Sequence, residues 1–444
     1  GYKTNVNNYN LSQFYYIHKP DGSPTNFKYK GTPPTGKLPK SVDFALTKYN
    51  EAEDFNFFAF GDPQPYSLKE LEYFRKGIVD YAKKEQGVIF GISLGDIAGD
   101  NPDLHQPYIE VMKEMSMPWY NVMGNHDMNH DAKTDKDSDE SFEANFGPVN
   151  YAFQYGKAHF IILDDIIYPN PETNKGYIGG FREDQFKFIE NYLKFVDKND
   201  LVIFAFHIPL HHKKDAFITK DRHRFFEIVK DHNNLLALTA HTHFQTHYFY
   251  DKKSGWNGAK PFHEYNVGTT NGDWYSGEFG NDGTPDATMR DGTPKGYAIL
   301  NVKGNKFNIN YLVAEKPKDY QMKIYNPKVV PNLRKTSASI YVNFFIGSPD
   351  DLVEYRIDNG EWKKMTLADA ADPSYLHLLH RWDYTDELMP GKRPSAPVNC
   401  THLWKGSMDT TLPLGTHRIE VKATDMSGNI HYGESNYRIE KKMP

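Results

Sequence analysis

The residues best suited to chemistry begin at Gly124-Asn125-His126-Asp127, where an amide, an imidazole and a carboxylate follow the apolar run Pro118–Met123. Groups of the same kind recur at Asp62-Pro63-Gln64, Asp96, His207 and His241-Thr242-His243. Each sits just after an apolar run: Phe55–Phe60, Val88–Leu94, Leu201–Phe206 and Leu235–Thr239. Carboxylate, imidazole and amide-carbonyl oxygen form a borderline-to-hard ligand set suited to Mn, Fe, Zn or Mg. Together they exceed what one ion takes. Two divalent ions about 3.5–4 Å apart, sharing a carboxylate, would use them all. Taken singly, an Asp or Asn after a strand is an ordinary helix cap, and a lone loop histidine is unremarkable. Recurrence of these groups in order, each after an apolar run, is what sets them apart.

Those residues need elements to position them. Ser67 and Glu70 form a capping box, and Leu68, Leu71, Phe74, Ile78 and Tyr81 keep helical spacing, predicting a helix over residues 67–85. Further helices are expected at 103–116, 182–196 and 219–231, with strands at 151–155, 159–163, 245–250 and 262–267 and a hairpin at 297–313 turning on Lys303-Gly304-Asn305. Strand-helix alternation is the mark of an α/β layer with a parallel sheet. In such sheets, sites form at the carboxyl ends of the strands. Beyond about residue 316 only strand patterns remain, at 339–345, 352–357, 362–365, 416–424 and 430–439, around an irregular stretch at 367–411. They read as a small β-sandwich of immunoglobulin-like or fibronectin-like kind. Residues 1–50 are polar and Pro/Gly-punctuated, with one strand expected at Gln13–His18. They are either a linker wrapped on the main domain or the tail of an upstream β domain. The division is therefore 1–50, a catalytic domain at 51–315, and a β-sandwich at 316–444.

The ordered blocks Gly-Asp, Gly-Asp, Gly-Asn-His-Asp, His and His-x-His resemble the calcineurin-like metallophosphoesterase superfamily over roughly 55–315. The resemblance implies a four-layer αββα sandwich. It implies that Asp96 bridges two divalent ions, that Asp62 and His243 bind the first, and that Asn125, His207 and His241 bind the second. His126 would contact the phosphate or protonate the leaving oxygen, with Asp127 orienting and charge-supporting it, and solvent bridging the ions would be the nucleophile. Two departures stand out. Gln64 occupies a position where the family usually has histidine, leaving open whether it ligates or supports. Asp100 falls one residue late in Gly95-Asp96-Ile97-Ala98-Gly99-Asp100, which puts its usual supporting role in question. The flanking modules resemble a bacterial branch that is typically exported, so an extracytoplasmic location, periplasm or cell surface, is expected ahead of a cytoplasmic one.

The expected reaction is hydrolysis of a phosphomonoester or phosphodiester on a small substrate such as a nucleotide, lipid headgroup or sugar phosphate. A net charge of -6 argues against a nucleic-acid polymer. No apolar run approaches the roughly 20 residues of a transmembrane segment, and no signal peptide is visible. Cys400 is the only cysteine, which excludes an intrachain disulfide. Within the Gly-rich loop 268–296, Arg290 could clamp a phosphate and Trp274 could stack on a substrate ring. His211, paired with His212, is a further candidate for substrate contact. The acidic loop 128–147 lacks EF-hand spacing and reads as a solvated rim. The competing reading is a non-catalytic scaffold, weakened at Gln64, whose β-sandwich engages a glycan or protein.

Overall fold

The computed structural model describes residues 1–211 and 216–441; His212 lies outside them. Two sheets face each other. The first is five-stranded, in the order β11-β10-β1-β2-β3, where β1 is Asp54–Phe60, β2 Val88–Leu94, β3 Trp119–Val122, β10 Gly296–Lys303 and β11 Lys306–Val313. The second is six-stranded, in the order β8-β9-β7-β6-β5-β4, where β4 is Tyr151–Tyr155, β5 Ala158–Ile162, β6 Leu201–Ala205, β7 Asn234–Thr239, β8 Thr246–Tyr250 and β9 Phe262–Asn266. Strands β1, β2 and β3 run parallel, as do β5, β6, β7 and β9.

The period-2 geometry of β1 builds two layers at once. Phe55, Phe57 and Ala59 point between the sheets, where the Phe57 ring meets Phe160 of the second sheet edge-on at 5.2 Å. Phe58 and Phe60 point outward under the helices, against Phe74 and Trp119. That face is covered by α1 (Leu68–Phe74), which continues through a π-turn at Arg75–Val79, and by α2 (His105–Met112). On the far face lie α4 (Glu183–Leu193) and α5 (Thr219–Val229), following the short α3 (Glu140–Phe146). The result is the four-layer αββα sandwich.

Register levels the strand ends. Phe60 pairs with Ser93, Leu94 with Val122, and Ala205 with both Ile162 and Leu238. Every loop expected to carry chemistry therefore leaves from one edge.

The C-terminal region is the expected β-sandwich, with a four-stranded and a five-stranded sheet. Within the stretch read as irregular lies a helix, α6 (Pro373–Asp383), capped by Asp372, whose side chain accepts from the Ser374 amide. Pro just inside a helix start and Asp just before it are readable signals. Tyr375, Leu379 and Trp382 add helical spacing, so the expectation of an irregular stretch is corrected here by signals present in the chain. Gln13–His18 forms no strand; instead Tyr2–Thr4 pairs with Leu46–Lys48. The N-terminal segment lies on the main body. Asn10 accepts from the Trp119 amide at 2.9 Å, and Lys19 pairs with Glu140 and Glu143 of α3.

Candidate metal centre

At the leveled edge the backbone bends sharply. Asp62, Gln64, Asp96, His241 and His243 all have left-handed backbone, with φ between 33° and 70°. Such conformations are uncommon for non-glycine residues and cluster at functional sites. The bends allow close approach between loops: a Cβ at Gly124 would meet the Asp96 amide nitrogen at 2.1 Å, so only glycine fits where β3 ends.

The side chains converge. Ligand atoms of Asp96, His207 and His241 all lie within 4.8 Å of one another. His207 Nε2 is 3.2 Å from Asp96 Oδ2, 3.2 Å from Asn125 Oδ1 and 4.0 Å from Asp62 Oδ1. His243 Nε2 is 3.8 Å from Asp62 Oδ1. The Asp62 carboxylate accepts from the His241 amide at 3.0 and 3.2 Å.

The donors suit divalent cations. His207 Nδ1 donates to the Leu94 carbonyl at 2.7 Å, and His243 Nδ1 to the Gly272 carbonyl at 3.1 Å. Each bond orients its ring so that Nε2, the nitrogen a cation would take, faces the cluster. Burial pushes Asp62 up to about 8 despite His207 beside it. Burial also opposes ionisation of Asp96, but His207 and His126 hold it below the usual carboxylate range. Burial alone would lower His207; Asp96 overrides it and raises it to about 10. Burial takes His243 down to about 3, keeping the ring neutral. Two dry carboxylates thus compete for positive charge, a need that divalent ions would meet.

His126 stands at the margin, its side chain 26% exposed. Its amide donates to Asp96 Oδ1 at 2.9 Å, and its Nδ1 lies 2.7 Å from Asp100 Oδ1. His130 Nε2 reaches the same Asp100 oxygen at 3.1 Å. The expected pairing of Asp127 with His126 is not what forms. Asp127 is fully buried, accepting at Oδ2 from the amides of Ile97 (3.0 Å) and Gly124 (2.9 Å) and at Oδ1 from Ala98 (3.0 Å), with His105 Nε2 also at Oδ1 (3.1 Å). With both oxygens committed, it stitches the Asp96 loop to the Asn125 loop, and Asp100 is the carboxylate behind His126.

In sequence, two family models meet the chain: calcineurin-like phosphoesterase over residues 55–245, and the C terminal of calcineurin-like phosphoesterase over 264–431. The chain belongs to the calcineurin-like phosphoesterase family. Comparison with curated protein sequences returns no match. Among solved structures the chain is similar to the purple acid phosphatase PPD1 isolated from yellow lupin (Lupinus luteus) seeds, at 13% identity and a TM-score of 0.35, over 90% of this chain. This chain spans 57% of the lupin chain.

Around this candidate centre, the other expected residues fall differently. Gln64 is buried, its Oε1 accepting from Asn271 Nδ2 at 3.3 Å and its Nε2 donating to the Tyr66 hydroxyl at 3.2 Å. Trp274 does approach the centre, but its ring stacks on His243 at 3.9 Å, so one face is filled by a protein side chain. Arg290 Nε donates to the Ala396 carbonyl at 3.3 Å, tying it to the C-terminal region. His211 packs on Tyr248 at 4.4 Å, away from the ligand cluster.

Sequence reasoning passed over several supporting residues. Asp165 accepts from the His207 and Ile208 amides at 3.0 and 2.9 Å, and Glu264 from the Leu210 amide at 3.0 Å. Asp165, in Asp164-Asp165 after β5, had a positional signal, because β5 ends at the same edge. Glu264 lies inside β9 and had none.

Proposed function

We propose that this protein hydrolyses a phosphate ester at a centre for two divalent cations, with His126 serving the leaving group. The observation that carries the reading is the convergence of Asp62, Asp96, Asn125, His207, His241 and His243 on one edge, with His126 bonded to Asp96 beside them. Bound there, divalent cations would supply an activated water and neutralise charge on the phosphoryl oxygens. Asp62 and His243 would hold the first, Asn125, His207 and His241 the second, and Asp96 would be shared. Asp96 suits that place because its two oxygens face different neighbours, His126 and His207.

The chain's own part is proton placement. With Nδ1 turned to Asp100, His126 keeps Nε2 for the departing oxygen. Burial lowers the proton affinity of His126, but Asp96 and Asp100 overcome it and raise its pKa to about 9. Once Asp96 is engaged by cations, Asp100 remains to favour the protonated ring, the form a general acid needs. We assign Gln64 to positioning, because its amide bridges Asn271 and Tyr66.

The substrate is a small phosphorylated molecule, mono- or diester. We place the protein outside the cytoplasm by the branch resemblance noted above; among the described residues no helix is long and apolar enough to cross a membrane.

The test is turnover of p-nitrophenyl phosphate and of bis-p-nitrophenyl phosphate with added Mn²⁺. Turnover of at least one ester, lost on chelation and strongly reduced in His126→Ala, is expected. No turnover of either ester overturns the reading and favours a scaffold that binds without catalysis; turnover with an unchanged rate in His126→Ala overturns the role given to His126.

A further inference from the structure

The turn Asn271–Gly277 touches Asp62, Pro63, Gln64 and His243 around the first cation position. The Asn271 amide donates to the Asp62 carbonyl at 3.3 Å, and its side chain to Gln64 at 3.3 Å. The Tyr275 hydroxyl donates to the Pro63 carbonyl. Gly272 accepts from His243, and Trp274 covers the His243 ring. This turn is held in an unfavourable shape, with left-handed backbone at Gly272, Trp274, Tyr275 and Gly277 (φ 61°, 48°, 53° and 96°). A Cβ at Gly272 would sit 1.6 Å from the Ala287 carbonyl oxygen, so glycine is obligatory there. Consecutive non-glycine residues in this region persist only where surroundings hold them.

The surroundings come in good part from the C-terminal region. The Gly277 amide donates to the Lys392 carbonyl at 2.7 Å, and Lys392 Nζ to the Trp274 carbonyl at 3.4 Å. The Ser395 amide donates to Asp273 Oδ2 at 2.7 Å, where the Ser276 hydroxyl also donates at 2.8 Å. Nearby, Arg290 Nε donates to the Ala396 carbonyl, and the Val398 amide donates to the Arg290 carbonyl at 3.1 Å. The family model of the C-terminal part starts at residue 264 and takes in the turn and the strap together.

We propose that the C-terminal module is a working part of the metal centre: the strap Lys392–Val398 clamps the turn, and Trp274 on that turn positions His243 and so sets the affinity of the first cation position. This rests on the two-ion reading above. The sandwich is then a positioning element built into the site. Trp274 is a positioning residue, acting through His243.

The experiment titrates the metal-free full chain with Mn²⁺, following stoichiometry by plasma mass spectrometry and affinities by calorimetry, in wild type, Ser395→Pro, Asp273→Asn, Trp274→Ala and Trp274→Phe. Ser395→Pro removes the amide that donates to Asp273. Thermal unfolding of each variant checks that it is folded. Wild type is expected to bind two ions. Ser395→Pro, Asp273→Asn and Trp274→Ala are expected to weaken one ion by about ten- to a hundredfold, the range for losing a group that orients a ligand, and to leave the other unchanged. Trp274→Phe, which keeps an aromatic ring on His243, is expected to restore most of the loss. Two ions bound with wild-type affinities in folded Ser395→Pro and Trp274→Ala overturn the inference alone. Fewer than two ions in wild type overturn the two-ion reading and the inference with it.

Discussion

The two halves of the metal centre are built from different materials. Around His207 the support is the sandwich itself: the Leu94 carbonyl at the end of β2, Asp165 after β5, and Glu264 in β9. Burial pushes Glu264 up to about 7, and the Tyr250 hydroxyl donates to it deep in the core. Around His243 the support is one left-handed turn fastened to a distant strap. One half is therefore fixed by the same burial that folds the domain. The other is fastened to a second module, and on the two-ion reading proposed above its occupancy would change without the core changing.

The bluntest way to break this contrast is His207→Ala. Because His207 Nε2 touches both Asp96 and Asn125, removing it should abolish turnover and empty more than one position, read as metal content per chain. The strap variants should empty only one.

Next in size is His126→Ala. Loss of a positioned acid costs roughly 10²–10⁴ in kcat, while metal content should stay at the wild-type level. A fall in bound metal would move His126 into the ligand set.

Asp165→Asn should act on the core-built half. Its amide group can accept from only one of the His207 and Ile208 amides and turns a donor on the other, so the second ion should weaken by about ten- to a hundredfold. Combined with Ser395→Pro, the losses should add, because the two act on different ions. Strong non-additivity in calorimetry would mean the halves are one unit.

The smallest expected change is in pH dependence. His126 must be protonated to act; burial opposes the proton, and with Asp96 given over to cations it is Asp100, 2.7 Å from Nδ1, that favours it and helps set the alkaline limb of the rate profile. Asp100→Asn removes a charge that favours the proton. The limb should then move to lower pH by about one unit or more, with activity at acid pH little altered. A limb that stays in place would remove Asp100 from the proton path.

Much of the core-built half was legible in the chain. Each of its ligands follows an apolar strand run, and a strand run announces itself through residue types alone. The supports were less legible because they act through backbone atoms. Gly277 meets Lys392 amide to carbonyl, a contact with no side-chain signature across a long sequence separation. The exchange of Asp127 for Asp100 has a local cause. The spacing of Asp100 looked one residue too long, but left-handed backbone at both Asp96 and Asp100 (φ 50° and 58°) curls the loop and brings the carboxylate back to His126. From the sequence, Gln64 was open between a ligand and a support. In place, its Oε1 accepts from Asn271 and its Nε2 donates to the Tyr66 hydroxyl, so both ends of the amide are held by protein partners.

The left-handed backbone at Asp62, Gln64, Asp96, His241 and His243 also bears on how this protein would respond to selection for heat tolerance. Each such residue costs about 1–3 kcal/mol relative to relaxed backbone, and glycine adopts the same angles without that penalty. A library enriched for survival on heating, with no demand for turnover, should therefore accumulate glycine or asparagine at these positions. The survivors would be hardier and inactive, and the positions they share would outline the metal centre without any assay of catalysis.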